Sequence, residues 1–382
     1  MSSVSEQRAP TVAPIVVPVS LGERSYEIVI GKGLLEEAGD RIARLRPGAA
    51  VAIVTDETVG ALHLANLERA LTSASIRTSR IVVTPGESSK SFAGLERVVD
   101  AILDAKIERG DLVVALGGGV VGDLAGFAAA VSRRGTDFVQ IPTTLLAQVD
   151  SSVGGKTGIN TRHGKNLVGA FHQPVLVLAD IGLLDTLPPR EFRAGYAEVV
   201  KYGLIVDAPF FEWLERNRGD VFSGAAGARA EAVAVSCRHK AAIVARDERE
   251  TGERALLNFG HTFGHALEAA AGFSSRLLHG EAIALGMVLA FRLSAKLGYC
   301  SPAEEERTSA HFRAAGLPTR LAEVQGSLPD AEGLLSLMTQ DKKVRRGQLT
   351  FVLSRGIGKA FVQSGVDPEP VRALLDEALR RT

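Results

Sequence analysis

The sequence predicts a two-part fold: an α/β N-terminal domain built on a parallel sheet, followed by a mostly α-helical C-terminal domain. Three observations carry this expectation. At 382 residues the chain is too long for one ordinary hydrophobic core. Its first half alternates short apolar runs with helical stretches. Its second half is rich in Ala, Leu, Glu and Arg and poor in β-branched runs.

In chain order, residues 1–13 are polar and Pro-containing and are expected to fray. Val51–Thr55 (VAIVT) and Arg80–Thr84 (RIVVT) read as strands. Between Leu95 and Lys106 the residues Leu95, Val98, Val99, Ile102 and Leu103 recur at helical spacing and give one buried stripe. Leu112–Leu116 (LVVAL) is apolar throughout, as a strand covered on both faces must be. Phe138–Pro142 and Val175–Ala179 complete the series. From about residue 190 to 340 the pattern is helical, and Pro188-Pro189 stands near the junction. Gln348–Leu353 and Gly358–Val362 look like a small hairpin. The expected division is residues 1–185 and residues 186–382.

Directly after the LVVAL strand, Gly117, Gly119 and Gly122 fit G-x-G-x-x-G and open an apolar helix. Such glycines let backbone approach a pyrophosphate, and the helix N-terminus offers N–H donors and positive potential, which suits a Rossmann-like sheet. The motif follows a later strand than usual, and no acidic residue ends the next strand. A plain tight turn is the competing reading. Gly154-Gly155-Lys156-Thr157 mimics the tail of a P-loop, but Asp150 replaces the first Gly and would repel phosphate, so ATP hydrolysis is rejected. Lys156 remains either a substrate cation or a solvated loop lysine.

Three of the eight histidines, His261, His265 and His279, fall within nineteen residues. His261 and His265 are four apart and share a helix face. His279 follows a short loop and can fold back toward them. A carboxylate, of which Glu198 is one candidate among many, would complete a three-ligand catalytic metal site. Ordinary helix packing is the alternative, and spacing alone does not say which histidines ligate. Arg134, Lys156, Lys165, Lys201, Lys240, Arg254 and Lys342 stand beside these segments, as recognition of phosphate and carboxylate requires. Taken singly, each reads as an exposed charge.

Lys plus Arg equals Asp plus Glu, so no net field draws the chain toward nucleic acid or anionic membrane. Two cysteines outside any CxxC pair suit a reducing compartment. There is no signal-peptide pattern at the start and no apolar run long enough to span a bilayer. A cytoplasmic protein is expected.

Long ordered blocks of the chain resemble the 3-dehydroquinate synthase family. They are PGESSK (85–90), GGGVVGDLAGF (117–127), the segment 140–173, LPPREFRAGYAEVVKYG (187–203), DERETGERALLNFGHTFGHALE (247–268), LLHGEAIALGM (277–287) and Asp341-Lys342-Lys343. The resemblance implies that Glu198, His261 and His279 hold a zinc or cobalt ion, with His265 left as an acid–base or hydrogen-bonding group. It implies that NAD lies against Asp56, Glu87, Lys90, Gly118, Gly119, Val120, Val121, Gly122, Asp123, Thr143, Thr144, Lys165, Leu183, Leu184, Asp185 and Thr186, with Lys156 nearby. It further implies that Arg134, Asp150, Lys156, Asn166, Lys201, Lys240, Arg254, Asn258 and either Lys342 or Lys343 contact substrate.

The family reaction turns a seven-carbon phosphorylated sugar acid, 3-deoxy-D-arabino-heptulosonate 7-phosphate, into 3-dehydroquinate. It proceeds by transient oxidation with NAD, loss of phosphate, re-reduction, ring opening and intramolecular aldol closure. A homodimer is implied by the same resemblance. Competing readings are an aminodehydroquinate or valiolone-type cyclase, a metal-dependent polyol dehydrogenase that consumes NAD, and a nucleotide-binding scaffold.

Overall fold

The computed structural model describes residues 13–340 and 349–380. The chain forms two compact units. The first holds the described residues up to Thr143 together with Gly155–Thr186 and Gly224–Ala234; the second holds Thr144–Gly154, Leu187–Ser223 and the described residues from Val235 onward. The expected single cut after residue 185 is therefore crossed by two segments, 144–154 and 224–234, which leave their sequence neighbours. The expected fraying of residues 1–13 falls, but for residue 13, outside the described residues.

The first unit contains strands β1 (Ile15–Val19), β2 (Tyr26–Gly31), β3 (Val51–Asp56), β4 (Thr78–Val83), β5 (Leu112–Gly117), β6 (Asp137–Pro142), β7 (Lys156–Thr161), β8 (Gly164–Phe171) and β9 (Leu176–Asp180). Its helices are α1 (Ala38–Leu45), α2 (Glu57–Val59), α3 (Ala65–Ser73), α4 (Phe92–Asp104) and α5 (Gly119–Val131). One seven-stranded sheet has the order β1-β2-β9-β6-β5-β3-β4, parallel except for the edge strand β1. The five strands expected from sequence all lie in it, with ends shifted by one or two residues.

Alternation along these strands builds a core on each face. Val51, Ile53, Leu112, Val114 and Leu116 point to one side, where Leu64, Leu67 and Leu71 cover them. Ala52, Val54, Val113 and Ala115 point to the other, under Val98, Ile102, Val121 and Leu124. The sequence reading did not find β1 and β2 or the antiparallel hairpin β7–β8. Pro18 sits on edge strand β1, where a missing N–H costs little.

The second unit is helical: α6 (Pro189–Ile205), α7 (Ala208–Ser223), α8 (Ala226–Arg246, entered from the first unit), α9 (His261–Ala270), α10 (His279–Lys296), α11 (Pro302–Ala314), α12 (Ala331–Gln340) and α13 (Pro368–Arg380). Proline opens α6 at the first helical position, where its missing N–H would be unpaired anyway. The expected hairpin appears as β10 (Thr350–Ser354) and β11 (Ala360–Ser364), starting two residues later at each strand; Gln348 lies outside the described residues.

Helix α10 is almost wholly buried and packs on α6, α9 and α11. Two glycines permit this. A Cβ on Gly280 would overlap the Ala194 carbonyl of α6, and one on Gly286 would overlap the Gly260 carbonyl before α9. Gly280→Ala is therefore expected to cost about 1–3 kcal/mol through overpacking and to move His279, which a denaturant titration and a structure of the variant would detect.

Candidate active site

In the first unit the expected nucleotide residues follow the carboxyl ends of the parallel strands. Asp56 ends β3, Gly118 follows β5, Thr143 follows β6, and the short 3₁₀ turn Ile181–Thr186 follows β9. After β3 the chain crosses to one face of the sheet through α3, whereas after β5 it crosses to the other through α5. Adjacent strands whose connections diverge leave a crevice at their carboxyl ends, the usual ligand position in such sheets.

Gly118 caps α5 without a side chain, and the first helical bond runs from Gly122 N–H to the Gly118 carbonyl. The N–H groups of Gly119, Val120 and Val121 thus precede the helical ladder and suit an anion. The Thr143 hydroxyl is buried and has no hydrogen-bond partner among the described residues. Both features fit a dinucleotide phosphate and ribose.

Around this crevice Lys90 is buried, ion-paired with Asp123 and 2.5 Å from Asn166 Oδ1. Glu87 accepts a bond from Asn160 Nδ2 at 2.5 Å, and Asn160 Oδ1 accepts from the Asn166 backbone at 3.0 Å. Asn166, expected at the substrate, thus stands with Lys90 and Asp123 from the nucleotide set. Asp56 receives the Val59 N–H as a helix cap. Asp185 is ion-paired with Arg229 at 2.6 Å, and Thr186 bonds His63 at 2.9 Å. Leu183 and Leu184 are buried. Arg134 is exposed, and Lys156 and Lys165 lie on the β7–β8 hairpin, which corrects the reading of Lys156 as a loop residue. Thr144 belongs to the second unit, where its hydroxyl caps a turn by accepting from Ala147 N–H.

In the second unit α6, α9 and α10 bring Glu198, His261 and His279 together, with one donor atom from each inside a 4.8 Å cluster. His261 and His279 approach Glu198 Oε1 through Nε2, at 3.7 and 3.6 Å. These distances are too long for hydrogen bonds. They match instead the spacing of about 3.4 Å between two ligands held tetrahedrally at about 2.1 Å from one ion.

The tautomers agree. His261 Nδ1 lies 3.1 Å from the Phe259 carbonyl, and His279 Nδ1 lies 2.9 Å from Glu268 Oε2. Both partners accept only, so each Nδ1 carries a proton. Burial would lower the pKa of the metal-free His279, but Glu268 and Glu198 beside it raise it to about 10. A bound ion would take the place of its Nε2 proton and receive that lone pair. Glu198 is fully buried, and neither oxygen has a well-aligned hydrogen-bond donor among the described residues. Two imidazole nitrogens and a buried carboxylate form a donor set that suits a cation. The residues fit a zinc-like ion, and the Lys201 ammonium lies against Glu198 Oε2.

Lys201 also faces Asp150, 3.8 Å away, and Lys240 bonds both the Asp150 carboxylate at 2.7 Å and its carbonyl. Tyr202 donates to Asp150 Oδ1 and the Val149 carbonyl. Burial alone would raise the Asp150 pKa, but Lys201 and Lys240 hold it well below the carboxylate range. Burial likewise opposes ionisation of Glu198, but Lys201 and His279 together outweigh it, so Glu198 stays a carboxylate. Lys240 is pushed down to about 8, by burial first and then by Arg254, with Asp150 pulling the other way. Arg254 is buried, its guanidinium held by the Glu248 and Gly154 carbonyls, and Asn258 donates to Glu250 at 2.7 Å.

The second unit therefore gathers Asp150, Lys201, Lys240, Arg254 and Asn258 with the histidines. His265 stacks edge-on to His261 with ring centroids 5.3 Å apart. Lys342 and Lys343 lie outside the described residues. Sequence reasoning gave no role to Tyr202, Glu250 or Glu268. Only the place of Glu268 on the His261 helix face, seven residues on, signalled it.

Residues 80–194 match the family model described as 3-dehydroquinate synthase N-terminal, and residues 195–344 match its C-terminal counterpart. A 3-dehydroquinate synthase of Nitrobacter hamburgensis is 64% identical over 96% of each chain. The chain belongs to the 3-dehydroquinate synthase family. Among solved structures, the 2-epi-5-epi-valiolone synthase of Streptomyces hygroscopicus, with NAD+ and Zn2+ bound, superposes with a TM-score of 0.86 at 32% identity. That match covers 95% of this chain and 99% of the other. A 2-deoxy-scyllo-inosose synthase complexed with carbaglucose-6-phosphate, NAD+ and Co2+ superposes equally well, with a TM-score of 0.86 over 95% of this chain and 100% of that one. At 24% identity it shows the fold alone.

For a member of the 3-dehydroquinate synthase family, the Asp150 hub holds two lysines that would otherwise repel. Asp150→Asn leaves both ammonium groups without their common counter-charge. It is expected to lower stability at neutral pH by about 3–5 kcal/mol, the cost of breaking a buried pair, as read by denaturant unfolding.

Proposed function

We propose that this chain converts 3-deoxy-D-arabino-heptulosonate 7-phosphate to 3-dehydroquinate and inorganic phosphate, using NAD and one zinc or cobalt ion. The observation that carries the reading is the second unit's cluster, in which a three-ligand acceptor set stands beside a group of cations built around Asp150. Family membership supplies the reaction, and the cluster supplies the means. When bound, NAD provides a reversible hydride acceptor and the ion provides Lewis acidity toward a substrate hydroxyl.

The chain's own residues bind, orient and neutralise. Glu198, His261 and His279 hold the ion, and His265 stays beside it as a hydrogen-bonding group. Lys201, Lys240, Arg254 and Asn258 receive the carboxylate and hydroxyls of the substrate, with Arg134, Lys156, Asn166 and a lysine at 342 or 343 assigned to substrate as well. Such groups act through positioning and preorganised charge. The glycine loop from Gly118 to Asp123, with Asp56, Glu87, Lys90, Thr143, Thr144, Lys165 and the turn 183–186, receives NAD. Most roles thus divide between a nucleotide-binding first unit and a metal- and substrate-binding second unit. The exceptions are Arg134, Lys156 and Asn166 of the first, assigned to substrate, and Thr144 of the second, assigned to NAD.

The valiolone-type reading is disfavoured by identity: 64% to a 3-dehydroquinate synthase against 32% to the valiolone synthase. A polyol dehydrogenase would leave the buried cation group without a purpose. The reading extends to a cytoplasmic homodimer that engages neither nucleic acid nor membrane. Zero net charge favours the lack of nucleic-acid and anionic-membrane partners, and among the described residues no helix is long and apolar enough to cross a bilayer. The homodimer and the compartment rest on the family likeness.

Two measurements test the proposal. Purified protein with catalytic NAD is expected to release phosphate over many turnovers without accumulating NADH, and to stop when chelated. NADH formed one for one with product would instead indicate a dehydrogenase. Glu198→Gln and His279→Ala should lose metal and activity while remaining folded, whereas His265→Ala should keep metal and turn over slowly.

The alkaline limb offers a further check. Lys240 binds an anion only while protonated, so kcat/KM should fall above about pH 8, approaching tenfold per pH unit. Lys240→Arg, which stays charged, should move that limb upward. A limb that does not respond to Lys240→Arg would remove Lys240 from substrate binding.

A further inference from the structure

We propose that Glu268 is a positioning residue of the metal site, fixing the tautomer and orientation of His279 and raising its strength as a ligand. The inference rests on the metal reading given above and concerns a residue to which that reading assigns nothing.

Glu268 projects from the same face of α9 as His261 and His265, at helix offsets of zero, four and seven. Its carboxylate is buried, at 4% relative exposure, where an acidic side chain is costly without a specific partner. Oε2 lies 2.9 Å from His279 Nδ1. The same imidazole presents Nε2 to Glu198, 3.6 Å away. One ring thus carries a hydrogen bond on one nitrogen and a ligand-like separation on the other. His261 is held through Nδ1 by a neutral backbone carbonyl, so the two histidines are built differently. A carboxylate behind an imidazole makes it the more basic ligand.

His265, Glu268 and His279 also lie close enough to hold an ion themselves. The Nδ1–Oε2 separation argues against that use. At 2.9 Å a shared proton fits between the two atoms, whereas two ligands of one tetrahedral ion stand about 3.4 Å apart.

The test is metal affinity, read independently of catalysis. Full-length parent protein, E268Q, E268A and E198Q would be stripped with a chelator and titrated with Zn2+ or Co2+ against a competing chromophore. E268Q is expected to bind about tenfold more weakly and E268A up to about 100-fold more weakly. The visible spectrum of the cobalt form should change, and the melting temperatures of the stripped proteins should match the parent's. If E268A fails to fold, E268Q alone decides. Affinities within twofold of the parent in the folded variants would overturn the proposal. So would a parent that binds two equivalents and an E268A protein that binds one, because Glu268 would then be a ligand of a second ion. If the parent binds no ion, or E198Q keeps it, the metal reading itself fails and this inference falls with it.

Discussion

The arrangement of the second unit depends on one electrostatic constraint: a fully buried carboxylate, Glu198, that must remain ionised. Burying an isolated charge is prohibitive, so every group around it is chosen to offset that cost. Lys201 lies against one oxygen, and the two imidazoles that turn Nε2 toward the other offset its charge through a proton or an ion held between them. The lysines in turn need Asp150, which Tyr202 helps to hold. What results is a chain of paired charges in which removing one member strands its neighbour. An ion seated on Glu198, His261 and His279 would complete the balance, beside the lysines proposed for substrate.

Placement follows from packing. α6, α9 and α10 each contribute one donor residue, and small residues let their backbones approach until those donors meet. Gly280 follows His279 directly, so the contact that seats α10 on α6 also aims a ligand. In the first unit the same economy appears at the sheet. Parallel strands end together, and loops diverging after β3 and β5 open the crevice that the glycine turn lines.

Much of this was legible in the chain. Four of the five apolar runs became inner strands because covered parallel strands need apolar residues on both faces, and the fifth, Arg80–Thr84, became the half-exposed edge strand β4. The i, i+4 histidines on one helix, and a third at the start of the next, were also readable. Which of them ligate was not, because Nε2 direction depends on what holds Nδ1, and those partners (Phe259 O and Glu268) are set by tertiary packing. The β7–β8 hairpin stayed hidden because Lys156–Thr161 and Gly164–Phe171 contain glycines and polar residues instead of an apolar run. Segments 144–154 and 224–234 change units through contacts that no local pattern announces.

The most direct test of the central claim is anomalous diffraction from crystals of the cobalt-loaded protein. The account requires a single peak bonded to one oxygen of Glu198 and to Nε2 of His261 and His279, at about 2.0–2.2 Å, with Glu268 on the far side of the His279 ring. A peak bonded to His265, or to His279 through Nδ1, would contradict it.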